Sequence, residues 1–218
     1  MADLPEVERI LRDMHGTATW QDYEALRDRP GSNGQKIAFY SGWLWLDAGK
    51  EGPQHSRSSD LITILVCFWA FLNPEEPIDS LGRCLIEKSG SQACSPDLVF
   101  YKGKNIPNWQ SDKANRINLD TDRLPDLVGE ISDTTLSLDL DEQKQLYASL
   151  CIPEYWVIDV KAARVFAFSL NETGRYEPIE TSLILPNLPI SLIEQTLERL
   201  ATETNTAAAK WFMQQLQA

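Results

Sequence analysis

The order strand, helix, strand between Asp126 and Val160 restricts the fold of this chain more than any other feature. Asp126 to Ser132 is predicted to be a strand, Tyr155 to Val160 is rich in aromatic and β-branched residues, and Leu140 to Leu150 has apolar residues at helical spacing. Such a connection joins two parallel strands by a right-handed crossover. Because hairpins are predicted around it, we expect an α/β protein with a mixed β-sheet flanked by helices.

Periodicity and turn residues predict the remaining elements. The predicted helices are N-terminal helices within 4–27, a long helix from about Ser56 to Phe71, and C-terminal helices within 190–217. The predicted strands are Lys36 to Tyr40, Trp43 to Asp47, Arg83 to Lys88, Asp97 to Tyr101, Arg164 to Ser169 and Arg175 to Ile179. The first two strands form an N-terminal hairpin around Ser41-Gly42. With 218 residues, we expect one domain over 1–218 and a core at about 36–190.

The charge of the chain limits how it can contact a polyanion. The net charge is −12, whereas proteins that coat nucleic acid are usually basic. Any contact with nucleic acid is therefore expected to be local. Lys102 to Arg123 is the one locally basic stretch of its length, and a solvated loop is favoured there over a loop that contacts phosphate.

The chain carries no sequence signal for export or for a membrane span. Its N-terminus is acidic, unlike a signal peptide, and the apolar run from Leu61 to Leu72 is shorter than the roughly 20 residues of a membrane helix. The four cysteines include no Cys-x-x-Cys pair. We expect free thiols, a cytoplasmic location and no membrane partner.

Two acidic residues on predicted neighbouring strands are candidates for metal binding. Strand alternation places Glu130 among apolar neighbours, where an unpaired carboxylate would be costly. Asp97 begins its strand after Pro96, which restricts the preceding backbone. If the two strands are adjacent, both carboxylates and the Ile131 carbonyl can converge on one cation. Oxygen ligands of this kind suit Mg²⁺ or Mn²⁺.

Lys144 is the third candidate. It lies in the predicted apolar stripe Leu140, Lys144, Tyr147, Ala148 and Cys151, where an ammonium needs an acidic or anionic partner. Taken alone, it is more simply explained as a lysine that reaches water or pairs with Asp141 or Glu142. The order Asp97, Glu130, Lys144 along the chain favours a site instead.

These residues carry a resemblance to a known family. The segments that carry it are Pro96-Asp97, Leu127 to Leu136, Asp139-Leu140, Lys144, Tyr147-Ala148 and Ile152 to Asp159, with Tyr40-Ser41-Gly42 and Gly52-Pro53-Gln54-His55 upstream. Together they resemble the Uma-type family of endonucleases, within the PD-(D/E)XK, restriction-endonuclease-like superfamily. The similarity runs from about Tyr40 to Ile190, and its most specific part is residues 130–159.

The resemblance implies roles for particular residues. Asp97 and Glu130 would bind the metal, and Lys144 would supply the lysine of the motif from the helix. Ser132 occupies the usual position of that lysine, and His55 would be an accessory donor or base. Without the resemblance, His55 is more simply a capping or packing residue. Trp43 stands where many members carry an acid, which leaves activity open.

The leading hypothesis is therefore a Mg²⁺- or Mn²⁺-dependent endonuclease that hydrolyses DNA phosphodiester bonds, with catalytic residues Asp97, Glu130 and Lys144. One alternative is a binding or scaffold protein that keeps the fold without catalysis. Another is an enzyme acting on a nucleotide phosphate, since the net charge hinders a long polyanion more than a small one. A homodimer is also considered, through Leu192, Ile193, Leu197 and Leu200, although that stripe is more often intramolecular packing.

Overall fold

The computed structural model describes residues 16–30, 35–47, 51–109 and 116–217. The helices within them are α1 (Trp20–Arg27), α2 (Pro53–Leu72), α3 (Leu136–Leu138, Asp139–Gln143 and Lys144–Ser149 in succession), α4 (Ile190–Arg199) and α5 (Asn205–Leu216). The strands are β1 (Lys36–Tyr40), β2 (Trp43–Asp47), β3 (Ile78–Leu81), β4 (Leu85–Lys88), β5 (Gln92–Cys94), β6 (Leu98–Lys102), β7 (Arg116–Asn118), β8 (Leu127–Ser132), β9 (Glu154–Asp159), β10 (Arg164–Leu170) and β11 (Tyr176–Pro178). The mixed α/β class is confirmed. The predicted helix before α1 lies outside the described residues.

The chain divides into two compact units, each with its own sheet. The first unit comprises the described residues of Met1–Lys50, Arg83–Pro96 and Trp109–Arg123. The second comprises the described residues of Glu51–Gly82, Asp97–Asn108 and Leu124–Ala218. Neither unit is one continuous stretch, and a single domain over 1–218 stays a prediction.

In the first unit, a five-stranded sheet has the order β2-β1-β5-β4-β7. The predicted hairpin is present, with Tyr40 paired to Trp43. Ser41 and Gly42 both have positive φ, 50° and 81°, as a type I′ turn requires. A Cβ on Gly42 would lie 2.7 Å from the Gly16 carbonyl oxygen, so glycine is needed there for space as well as for φ.

A buried acid, Glu87, contacts side chains from α1 and β7 in this unit. The Glu87 carboxylate accepts hydrogen bonds from the Tyr23 hydroxyl and from Arg27 Nη1, at 2.8 Å for the latter. Arg116 Nε lies 2.9 Å from its second oxygen. Arg116 belongs to the locally basic stretch Lys102 to Arg123, and its guanidinium pairs with Glu87 inside this unit. Trp43, which stands where many members of the resembled family carry an acid, is a packed residue: its ring stacks on the Trp45 ring with 6.3 Å between the centroids.

The six-stranded sheet of the second unit has the order β11-β10-β9-β8-β6-β3. β8 and β9 are parallel, from Leu127 opposite Glu154 to Ser132 opposite Asp159, and α3 connects them. The predicted crossover between parallel strands is therefore confirmed. β6 is antiparallel to β8, which makes the sheet mixed.

Helices α2, α4 and α5 pack against one face of this sheet. Leu127 and Ile131 of β8 belong to an apolar core with residues of α2, α4 and α5. Ile193 and Leu197 of the proposed dimer stripe are buried in that same core. The stripe therefore packs within the unit. Among the described residues, no helix has both the length and the apolar character of a membrane span.

Some predicted boundaries were wrong for local reasons. The long helix begins at Pro53 with Gly52 as its N-cap, because proline is well accommodated in the first turn. β4 begins at Leu85, two residues after Arg83, whose φ of 57° does not fit a strand. The short strands β3, β5 and β7 were not predicted.

Candidate metal centre

The two candidate acids lie on adjacent segments of the six-stranded sheet, Asp97 directly before β6 and Glu130 within β8. The pairing of these strands ends with Leu98 of β6 opposite Gly129 of β8, so Asp97 and Glu130 are the next residues at that end. Both side chains are buried, with 2% of Asp97 and 5% of Glu130 exposed. The condition set by the sequence, that the two strands be neighbours, is met.

The backbone of β8 orients Asp97. The Ile131 N–H donates to Asp97 Oδ2 at 2.9 Å. Because the N–H and C=O of one residue in a strand point to the same edge, the Ile131 carbonyl also faces the β6 side. This direction is the one needed for the carbonyl to serve as a third oxygen ligand.

Glu130 is oriented by a residue that the sequence analysis did not select. The buried Tyr147 hydroxyl donates to Glu130 Oε1. The neighbouring Tyr155 ring lies 4.8 Å from the Tyr147 ring, and its own hydroxyl donates to the Asp139 carbonyl at 2.8 Å. The signal in the sequence was the place of Tyr147 in the predicted stripe of α3.

The predicted stripe of α3 was wrong in detail. Asp139–Gln143 form a π-helical turn, which widens the helix and rotates the residues that follow relative to α-helical spacing. Tyr147 is buried, whereas Leu140, Lys144 and Ala148 are only half-buried. Cys151 lies beyond the helix and is exposed, with a φ of 62°.

Lys144 contacts an aromatic ring on β10. Its Nζ lies 3.8 Å from the centroid of the Phe168 ring, a cation–π distance. Partial burial lowers the pKa of Lys144, and nearby Asp141 opposes that shift. None of the ion pairs formed among the described residues includes Lys144. Its predicted role beside Asp97 and Glu130 stays a prediction.

His55 adjoins the acidic centre. Its Nε2 lies 3.1 Å from Asp97 Oδ2, and its Nδ1 lies 3.1 Å from Glu51 Oε2. One ligand atom from each of these three residues lies within 4.8 Å of the others. Glu51 was not selected from the sequence, although it precedes His55 by four residues, the spacing of neighbours on a helix.

Ser132 lies two residues beyond Glu130, on the same face of β8. Its side chain is 1% exposed, and its Oγ has no hydrogen-bond partner among the residues that the structure describes. A buried hydroxyl of this kind can take a further partner. The Ser132 hydroxyl, the two carboxylates and the Ile131 carbonyl are all oxygen donors, the type of ligand that hard divalent cations prefer.

The mixed sheet, in which α3 joins the parallel strands β8 and β9, gives the chain a restriction-endonuclease-like α/β fold. Residues 20–204 match the Uma2 family, described as "Putative restriction endonuclease", and the chain belongs to this family. A crystal structure of a putative nuclease from Anabaena variabilis ATCC 29413 is similar, with a TM-score of 0.50 and 14% identity over 89% of this chain and 98% of that one. That likeness concerns the fold. No curated protein matches the chain.

Proposed function

We propose that this protein is a metal-dependent endonuclease that hydrolyses DNA phosphodiester bonds. The observation that carries the proposal is the presence of two buried acids at the end of the β6–β8 pairing: Asp97 directly precedes β6 and accepts from the Ile131 N–H, and Glu130 lies in β8 beside Ile131. Burying two acids side by side is unfavourable unless a cation or a proton compensates their charge. The family description supports a nuclease, and DNA is the substrate of restriction endonucleases.

The residues of the chain would divide the work as follows. Asp97, Glu130 and the Ile131 carbonyl would hold Mg²⁺ or Mn²⁺. When bound, such an ion lowers the pKa of a coordinated water and neutralises charge on the scissile phosphate. The Ile131 N–H and the Tyr147 hydroxyl would hold the two carboxylates in position. Lys144 would stabilise negative charge on the phosphate once its amine turns from the Phe168 ring.

The remaining parts of the proposal concern partner and location. With a net charge of −12, DNA would be contacted locally. The four cysteines, all among the described residues, form no disulfide, as suits a reducing cytoplasm. A homodimer is retained because paired sites can cut both strands, but its interface must lie elsewhere than on the buried Ile193 and Leu197.

The test is cleavage of supercoiled plasmid by the purified chain with Mg²⁺, with Mn²⁺ and with chelator. We expect D97N and E130Q to lose activity by at least about 100-fold while remaining folded. Glu154→Gln is the matched control, since Glu154 is a buried strand glutamate whose carboxylate bonds Trp156 and the backbone of Leu183 and Ile184. Cleavage unaffected by D97N and E130Q would refute the proposal.

A non-catalytic protein of the same fold is the second candidate, favoured by the contact of Lys144 with Phe168. Metal-dependent cleavage by the unmodified chain separates the two, and Lys144→Met then tests the role of the lysine. An endonuclease that uses this lysine loses cleavage in K144M, whereas a binding protein shows no metal-dependent cleavage in the unmodified chain. A short dinucleotide substrate run in parallel identifies an enzyme that prefers small phosphodiesters.

A further inference from the structure

Gln143 lies on the face of α3 that covers Glu130. It precedes Tyr147 by four residues, and its backbone is α-helical, with φ −63° and ψ −40°. Side chains four residues apart lie on the same face of a helix. Since the Tyr147 hydroxyl donates to the Glu130 carboxylate, Gln143 starts one turn away from that contact on the same face. Lys144, the next residue, lies over the Phe168 ring instead.

The directions of α3 and β8 bring Gln143 toward Ser132. The two elements run in opposite directions, because α3 returns the chain from the end of β8 to the start of the parallel strand β9. Gln143 lies one helical turn before Tyr147, a distance of about 5.4 Å along the axis. Ser132 lies two residues after Glu130 on the same face of β8, a distance of about 6.6 Å. The two displacements match, so Gln143 and Ser132 face each other beside Glu130.

Both residues carry a buried polar atom that needs a partner. Gln143 Oε1 and Ser132 Oγ are buried and form no hydrogen bond among the described residues. Buried polar atoms are costly unless they are hydrogen-bonded, so two of them on facing elements indicate a bound ligand. An amide oxygen only accepts, whereas a hydroxyl donates and accepts. A water molecule can satisfy both atoms, but a phosphate oxygen cannot donate to the amide oxygen.

We infer that Gln143 and Ser132 bind and orient the water that attacks the scissile phosphate. The inference rests on the proposed function and names the residues that hold its nucleophile. Gln143 Oε1 accepts an O–H of the water, and the Ser132 hydroxyl fixes the water oxygen. That oxygen bonds to phosphorus, and the bond from phosphorus to the leaving sugar oxygen breaks. One proton of the water passes to solvent, and the leaving oxygen takes a proton from solvent.

The test is steady-state cleavage of supercoiled plasmid with Mg²⁺ by two variants. Gln143→Leu removes the acceptor at nearly constant size, and Ser132→Ala removes only the hydroxyl. We expect each to lower kcat by about 10–100-fold with KM within about twofold of wild type, because the water is misplaced while DNA binding is unaffected. The double variant should lose about as much as the more impaired single variant, since both residues act on one water.

Gln145→Leu is the matched control, because Gln145 is an exposed glutamine of the same helix whose amide donates to Asp141. It should leave kcat unchanged. Calorimetry adds a readout besides activity. Removal of an unpaired buried polar atom should keep or raise the Tm of Q143L and S132A, whereas loss of a structural hydrogen bond, including one to a structural water, lowers Tm.

The outcomes separate this inference from the proposed function. If the wild type does not cleave with metal, the proposed function fails, and the inference fails with it. If the wild type cleaves and Q143L and S132A keep its kcat, the proposed function stands and the inference alone is wrong. A loss of kcat that accompanies a lowered Tm, or a raised KM at unchanged kcat, assigns the pair to packing or to phosphate binding and also overturns the inference.

Discussion

The hydrogen bond from Tyr147 to Glu130 supports a quantitative prediction. Tyr147→Phe removes one hydroxyl and keeps the ring that packs against Tyr155. A hydrogen bond to a charged group contributes about 1.5–3 kcal/mol to stability. For a protein of this size, 1 kcal/mol corresponds to about 2–4 °C in Tm, so we expect Y147F to lower Tm by about 3–12 °C.

The same bond should also affect the proposed centre. Mutation of a group that orients a metal ligand typically lowers metal affinity by about 10–100-fold. Y147F should therefore raise the Mg²⁺ concentration that gives half-maximal plasmid cleavage by about that factor. Calorimetry supplies the Tm, and a Mg²⁺ titration of cleavage supplies the second quantity.

Tyr155→Phe is the matched control. Tyr155 is also buried, lies beside Tyr147 and donates to a backbone carbonyl, that of Asp139, instead of to Glu130. Y155F should lower stability by about 0.5–1.5 kcal/mol, as loss of a neutral hydrogen bond does, and leave the Mg²⁺ requirement unchanged. If Y147F and Y155F shift the Mg²⁺ requirement equally, the assignment of Tyr147 as the residue that positions Glu130 is wrong.

Two further predictions concern stability. Burial raises the pKa of Glu154, against hydrogen bonds from Ile184 and Trp156 among others. The folded state therefore holds the Glu154 proton at pH values above the ordinary pKa of about 4.3. The free energy of unfolding of the wild type relative to E154Q should fall as pH rises from about 4.3 to the raised pKa. Urea denaturation at several pH values measures this difference, and a pH-independent difference would contradict the prediction. Gly129→Ala should destabilise the protein by about 1–3 kcal/mol, because the new Cβ would lie 3.2 Å from Leu98 Cδ1 and must displace that side chain. If G129A keeps the Tm of the wild type, Leu98 can move without cost and the prediction is wrong.

Local pattern was sufficient to predict the elements that carry their own signal. The β1–β2 hairpin follows from Ser41-Gly42, and the parallel strands β8 and β9 follow from a helix between two β-rich segments. Asp97 and Glu130 could be selected because each acid stands out at the end or in the middle of an apolar strand. These features depend on residues close together along the chain.

What the sequence alone determined is therefore the α/β class and the main strands, and it selected Asp97 and Glu130 as candidates. Tertiary structure decided which groups meet them. The π-helical turn Asp139–Gln143 brought Tyr147 to Glu130, while Lys144 lies over Phe168. Glu51 joined His55 and Asp97 because α2 begins beside β6. Such contacts depend on helix phase and on packing between segments distant in sequence, which residue spacing does not encode.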